Sequence, residues 1–136
     1  MAIGLMLALA AAAQGCRTLD EDGARLCPAH LAAVRRVRVE RVGVQRWHDP
    51  DEPPCRGFRP AAADVRRYLA RAERTDAGSL HHALPESGCI ATGRVGFAGG
   101  RSGTFRVDRY GNMRLTIGRR VHLLHCAGCD FGGFQQ

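Results

Sequence analysis

The alternation of apolar and polar residues between Cys89 and Cys129 constrains this chain more than any other feature. Ala91, Gly93, Val95 and Phe97 alternate with Thr92, Arg94 and Gly96, and Phe105 and Val107 alternate with Arg106 and Asp108. A period of two marks strands, because successive side chains leave a pleated backbone on opposite faces. The connection from Ala98 to Gly103 is short and glycine-rich, as a hairpin needs where residues take positive φ. Tyr110, Gly111 and Asn112 mark a second turn. Met113, Leu115 and Ile117 alternate again, and Gly118 to Arg120 turn the chain before Val121 to Cys126. Four strands joined by short turns predict an antiparallel meander.

Upstream, Val37, Val39, Val42 and Val44 are interleaved with Arg36, Arg38, Arg41 and Gln45, which reads as one more strand with a bulge where the phase slips at Glu40 and Arg41. Four prolines between Trp47 and Pro60 demand a loop. Val65, Tyr68, Leu69 and Ala72 then recur at i, i+3, i+4 and i+7, so 61–74 is predicted to be an amphipathic helix with Arg67, Arg71 and Arg74 opposite the apolar stripe. Thr75 to Ser87 is expected to be a loop carrying His81 and His82. The predicted class is α+β: one amphipathic helix packed on a four- to five-stranded antiparallel meander sheet, in strand-helix-strand-strand-strand-strand order. The cystatin topology shares that order, an analogy that transfers no functional residue.

At 136 residues the chain supports one domain. An apolar run from Ile3 to Ala13, too short to cross a bilayer, reads as an export signal over 1–15, followed by a polar tether over 16–30 and a single domain over 31–136. Two processing routes fit. Ala13-Gln14-Gly15-Cys16 resembles a lipobox and predicts lipidation of Cys16, hence a membrane anchor, whereas Ala11-Ala12-Ala13 satisfies the A-x-A rule and would release a soluble protein. All 20 basic residues are arginine, and the net charge of +7 implies an acidic partner.

Four of the cysteines are expected at one end of the sheet. Cys55 follows the first strand, Cys89 opens the second, and Cys126 and Cys129 close the last. Export predicts two disulfides, with Cys55 and Cys89 paired to the two C-terminal cysteines; cleavage before Gln14 would leave six cysteines for three bridges. The competing chemistry is zinc or thiol-redox work by Cys126 and Cys129 with Cys55, Cys89 or one of His122 and His125, which a strand places on opposite faces. No metal or cofactor is expected on the leading reading.

Other candidates read as structure. Trp47-His48-Asp49 has no nucleophile elbow to serve, Ser102 sits in a turn, and the glycine-rich connection has neither the helix nor the lysine of a phosphate loop. Arg36, Arg38 and Arg41 on the sheet with Arg67, Arg71 and Arg74 on the helix form the candidate binding surface. Nucleic acid is not the expected partner, because aromatic residues are not interleaved with the arginines.

The block from Phe58 to Leu69 (FRPAAADVRRYL), the segment His82 to Cys89 (HALPESGC), the Gly-Arg-Val strand and the terminal Cys-x-x-Cys resemble small exported proteobacterial proteins of unassigned function, putative lipoproteins, over about the last eighty residues. That resemblance implies export and a single domain and carries no catalytic motif. The expectation is therefore a non-enzymatic, disulfide-stabilised protein on the periplasmic side of a bacterial envelope, bound to the outer membrane if Cys16 is lipidated. Its partner would be an envelope protein or another acidic macromolecule, in the manner of an inhibitor or immunity protein.

Overall fold

A computed structural model describes residues 15–19 and 23–134, so nearly all of the expected export signal lies outside the described residues. The meander strands are β5 (Cys89–Phe97), β6 (Ser102–Asp108), β7 (Asn112–Ile117) and β8 (Arg120–His125), preceded by the long β3 (Val34–Gln45). β3 pairs antiparallel with β5, with register shifts that include one between Val39 and Arg41, where the valine phase slips. Gly99 and Gly100, at φ of 88° and 80°, close the β5–β6 hairpin in the left-handed region that glycine reaches without steric cost.

The expected class is overturned by the extent of the sheet, which among the described residues has eight antiparallel strands rather than four or five. Three short strands extend it beyond β8: β1 (Arg17–Thr18), β2 (Arg25–Pro28) and β4 (Glu73–Arg74), in the order β1-β2-β4-β8-β7-β6-β5-β3. The segment read as a tether therefore contributes two strands, and its Ala24 and Leu26 are fully buried. Strands of two to four residues complete too little of a period to be seen in sequence, and what orders these is tertiary pairing.

α1 spans Ala62–Arg71, shorter than predicted, because Ala72 leaves the helix at ψ 144° and Glu73 and Arg74 join the sheet. The Asp64 carboxylate accepts from the Ala61 amide (2.8 Å) at the helix start and from the Gly133 amide (3.1 Å), holding the C-terminal tail against the helix. A second helix, α2 (Ala77–His82), occupies the expected loop, capped by Asp76 accepting from the Ser79 amide (2.7 Å).

The core lies between α1 and one sheet face. Val65, Tyr68 and Leu69 meet Ala91, Val95, Phe105, Val107, Leu115 and Leu124, the apolar phase of each strand. Phe134 closes it from the tail, stacked at 5.5 Å on Tyr68 and edge-on at 5.7 Å to Phe58. The Tyr68 hydroxyl, deep in this core, donates to the Gly111 carbonyl at 2.8 Å.

Candidate functional site

Three disulfides join all six cysteines: Cys16–Cys27, Cys55–Cys89 and Cys126–Cys129. The expected pairing of Cys55 and Cys89 with the C-terminal cysteines is corrected by the strand order. Cys89 on β5 is separated from the end of β8 by three strand spacings, on the order of 14 Å, whereas bridged cysteines need Cα atoms within about 7 Å. Cys55 instead reaches Cys89 from a 3-10 turn beside β3, and Cys126 closes on Cys129 within its own motif. The same separation keeps the four sulfurs from forming one zinc site, and among the described residues no three His, Cys, Asp or Glu side chains gather as metal ligands. Cys16 lies opposite Cys27 in the β1–β2 hairpin, so its sulfur is engaged in a bridge. A sulfur in a disulfide cannot also carry the thioether of a lipid anchor.

His122 and His125 point to opposite faces, their registers matching Leu115 and Asn112. His125 belongs to a buried polar network at the cysteine end of the sheet. Asn112 Nδ2 donates to the Pro85 carbonyl (2.7 Å) and to Asp108 Oδ2 (3.0 Å), so its Oδ1 is the acceptor and His125 Nδ1, 2.8 Å away, carries the proton. Burial holds the His125 imidazole below its usual range. Asp108 also accepts from the amides of Ser87, Tyr110 and Asn112, yet burial outweighs these bonds and pushes its carboxyl up to about 6. Ser87 donates its hydroxyl proton to Glu52 and accepts from the Cys89 amide. Glu52 in turn pairs with Arg109, which donates to the carbonyls of Pro53 and Pro54 and fastens the proline-rich loop. These groups bond to one another and hold loops.

The six predicted surface arginines do not form one surface. Arg67 and Arg71 lie over the Phe131 ring, at 4.0 and 5.4 Å from its centroid, clamping the tail to α1. Arg74 lies on β4 beside β8. Arg36, Arg38 and Arg41 belong to the opposite side of the sheet, because residues paired across an antiparallel ladder share a face and these pair with Gly96, Arg94 and Thr92, not with the core phase.

On that face sequence reasoning missed the main part. Arg94 on β5, Arg106 on β6 and Arg114 on β7 occupy the same phase as Arg36, Arg38 and Arg41, so six arginines cover four adjacent strands. The ladder runs Arg41, Thr92, Arg106, Arg114, with Arg38 beside Arg94 in the next row. The acidic residues on these strands are Glu40, paired with Arg94 at 3.3 Å, and the buried Asp108 at the end of β6, in the same phase as Arg106. The signal was available: each arginine falls on the polar beat of its strand, and only the register shows that the beats align. No family model, curated protein or solved structure matches the chain.

At the loop end of this face, α2 and the Arg46-Trp47 corner enclose a cavity of about 380 Å³. Arg46, Arg106 and Arg114 line it together with apolar surface from Ile90, Met113 and Leu123. Burial first, then the neighbouring Arg46 and Arg114, lowers the pKa of the Arg106 guanidinium from its usual value.

Proposed function

We propose that this chain is a non-enzymatic, exported binding protein of the bacterial envelope that engages an acidic protein through the arginine-bearing sheet face. The observation that carries this reading is the alignment of Arg36, Arg38, Arg41, Arg94, Arg106 and Arg114 on four neighbouring strands, away from the helix-covered core. Like charges directly opposite each other weaken a sheet, so a face that stacks Arg38 on Arg94 and Arg106 on Arg114 carries a cost that an acidic partner offsets. Three disulfides in so small a domain fit an oxidising compartment such as the periplasm. Because Cys16 is bridged to Cys27, the route that releases a soluble periplasmic protein fits better than the outer-membrane lipoprotein. The resemblance to small exported proteobacterial proteins is consistent with that compartment.

The test is site-directed crosslinking in a bacterial host that exports the protein. A photo-reactive residue replacing Thr104, at the centre of the face, should yield a protein adduct that weakens with added salt and disappears in R38E/R94E. Adducts that ignore salt and survive the double reversal, or robust hydrolysis of cell-wall or lipid substrates by the pure protein, would overturn the reading.

A further inference from the structure

We propose that the cavity between α2 and the arginine face is a binding site for the phosphate group of an organic phosphoester. It goes beyond the acidic-protein reading, which concerns the open rows of the face and does not require a small-molecule site. Arg106 and Arg114 are cross-strand partners on the same face, and both line the cavity, joined by Arg46 from the corner after β3. Among the described residues the guanidinium groups of Arg106 and Arg114 make no hydrogen bond or close ion pair, although the Asp108 and Glu86 carboxylates act favourably on the Arg106 charge, and Arg46 lies over the Trp47 ring at 5.6 Å. Asp108 lines the same cavity, but its oxygens accept from Ser87, Tyr110 and Asn112. Glu86 is the other carboxylate on the wall.

Three guanidiniums with unused donors converge where one of them is partly desolvated. That arrangement is costly in the empty protein and favourable once an anion fills it. A carboxylate brings one negative charge and about four lone-pair sites, which two guanidinium forks exhaust, so the third arginine would be left without an acceptor and the charge of the cluster largely uncompensated. A phosphate monoester brings about two negative charges and three strong acceptor oxygens, enough for three forks. The volume exceeds a bare phosphate, and Trp47 with Ile90, Met113 and Leu123 supplies apolar wall for an organic moiety. The same monoester chemistry is offered by a soluble phosphoester and by the headgroup of phosphatidic acid.

The experiment uses the mature, disulfide-intact protein. Calorimetry with glycerol 3-phosphate should show saturable binding, weakened about tenfold in R106Q and in R114Q and little changed in R38Q, which lies outside the cavity. R114K, which keeps the charge and loses the fork, should weaken it as well, and thermal melts verify that each variant folds. Sedimentation with vesicles containing phosphatidic acid, whose headgroup is a phosphate monoester, against phosphatidylcholine vesicles, separates the sources. Vesicle binding lost in R106Q and R114Q assigns a headgroup; binding of glycerol 3-phosphate without vesicle binding assigns a soluble ester. Absence of binding to either probe at millimolar concentration, or binding that falls equally in R38Q, would overturn the site. So would a polyglutamate peptide that binds more tightly than the phosphoester with the same dependence on Arg106 and Arg114, which would return the cavity to the protein-docking face.

Discussion

Arg106 and Arg114 stand directly opposite each other on neighbouring strands, with Arg46 close enough to depress the Arg106 guanidinium further. Cross-strand pairs of opposite charge stabilise an antiparallel sheet and like pairs weaken it, by up to about 1 kcal/mol. R114E should therefore raise stability by roughly 0.5–1 kcal/mol in urea denaturation while weakening anion binding. A gain in stability with a loss of binding is the mark of a functional charge cluster; a loss in both would show that Arg114 serves the fold.

The three disulfides should differ in worth according to the loops they close. Cys55 and Cys89 are 34 residues apart, and C55A/C89A should cost about 4 kcal/mol on a chain-entropy estimate. Cys126 and Cys129 are 3 apart, and C126A/C129A should cost about 2 kcal/mol. Urea titrations of both variants give the comparison, and the reverse order would mean that the terminal bridge acts through native packing of the tail.

Removal of the Tyr68 hydroxyl should be mild for so buried a group. The Gly111 carbonyl that it contacts also accepts from the Cys126 amide at 3.0 Å, so Y68F leaves no orphaned acceptor. A loss of about 1 kcal/mol is expected in urea denaturation, whereas 3 kcal/mol or more would show that the turn at Gly111 depends on the hydroxyl.

Stability should depend on pH through two buried groups of opposite sign. Asp108 has its carboxyl raised from 3.8 to about 6 in the folded protein, so the folded state binds more protons than the unfolded one between those values. Its contribution is fullest below about pH 4 and falls by roughly 3 kcal/mol as pH rises through 6. His125 is lowered, so its contribution is present above pH 6.5 and declines as pH falls below that value. In H125Q, where Gln can still donate to Asn112, the slope between about pH 5 and 6 should be that of Asp108, because Glu73 and Asp76, both held low, contribute below that window. A carboxyl-carbon NMR titration of Asp108 gives the site-resolved check, and a midpoint near 4 would refute the claim.

A single soluble species is expected from export. Intact mass of the mature protein should show six cysteines oxidised and no lipid increment, with six thiols after reduction. A lipid-sized increment on Cys16, with Cys27 free, would reinstate the anchored form.

The alternation of Val37 to Val44 and of Ala91 to Ile117 by itself determined strands, because a pleated backbone turns period two into a buried and an open face. The i, i+3, i+4, i+7 stripe of Val65, Tyr68, Leu69 and Ala72 determined α1 for the same local reason, with 3.6 residues per turn. Each of those patterns is contained in neighbouring residues. What pairs over distance was decided only in three dimensions. β1, β2 and β4 are too short to carry a period and form because β8 offers an open edge; Cys55 meets Cys89 because β3 lies beside β5; Arg41, Arg106 and Arg114 share a row because register aligns three strands. Alternation shows that a residue points outward, but only register, a relation between segments, shows which outward residues become neighbours.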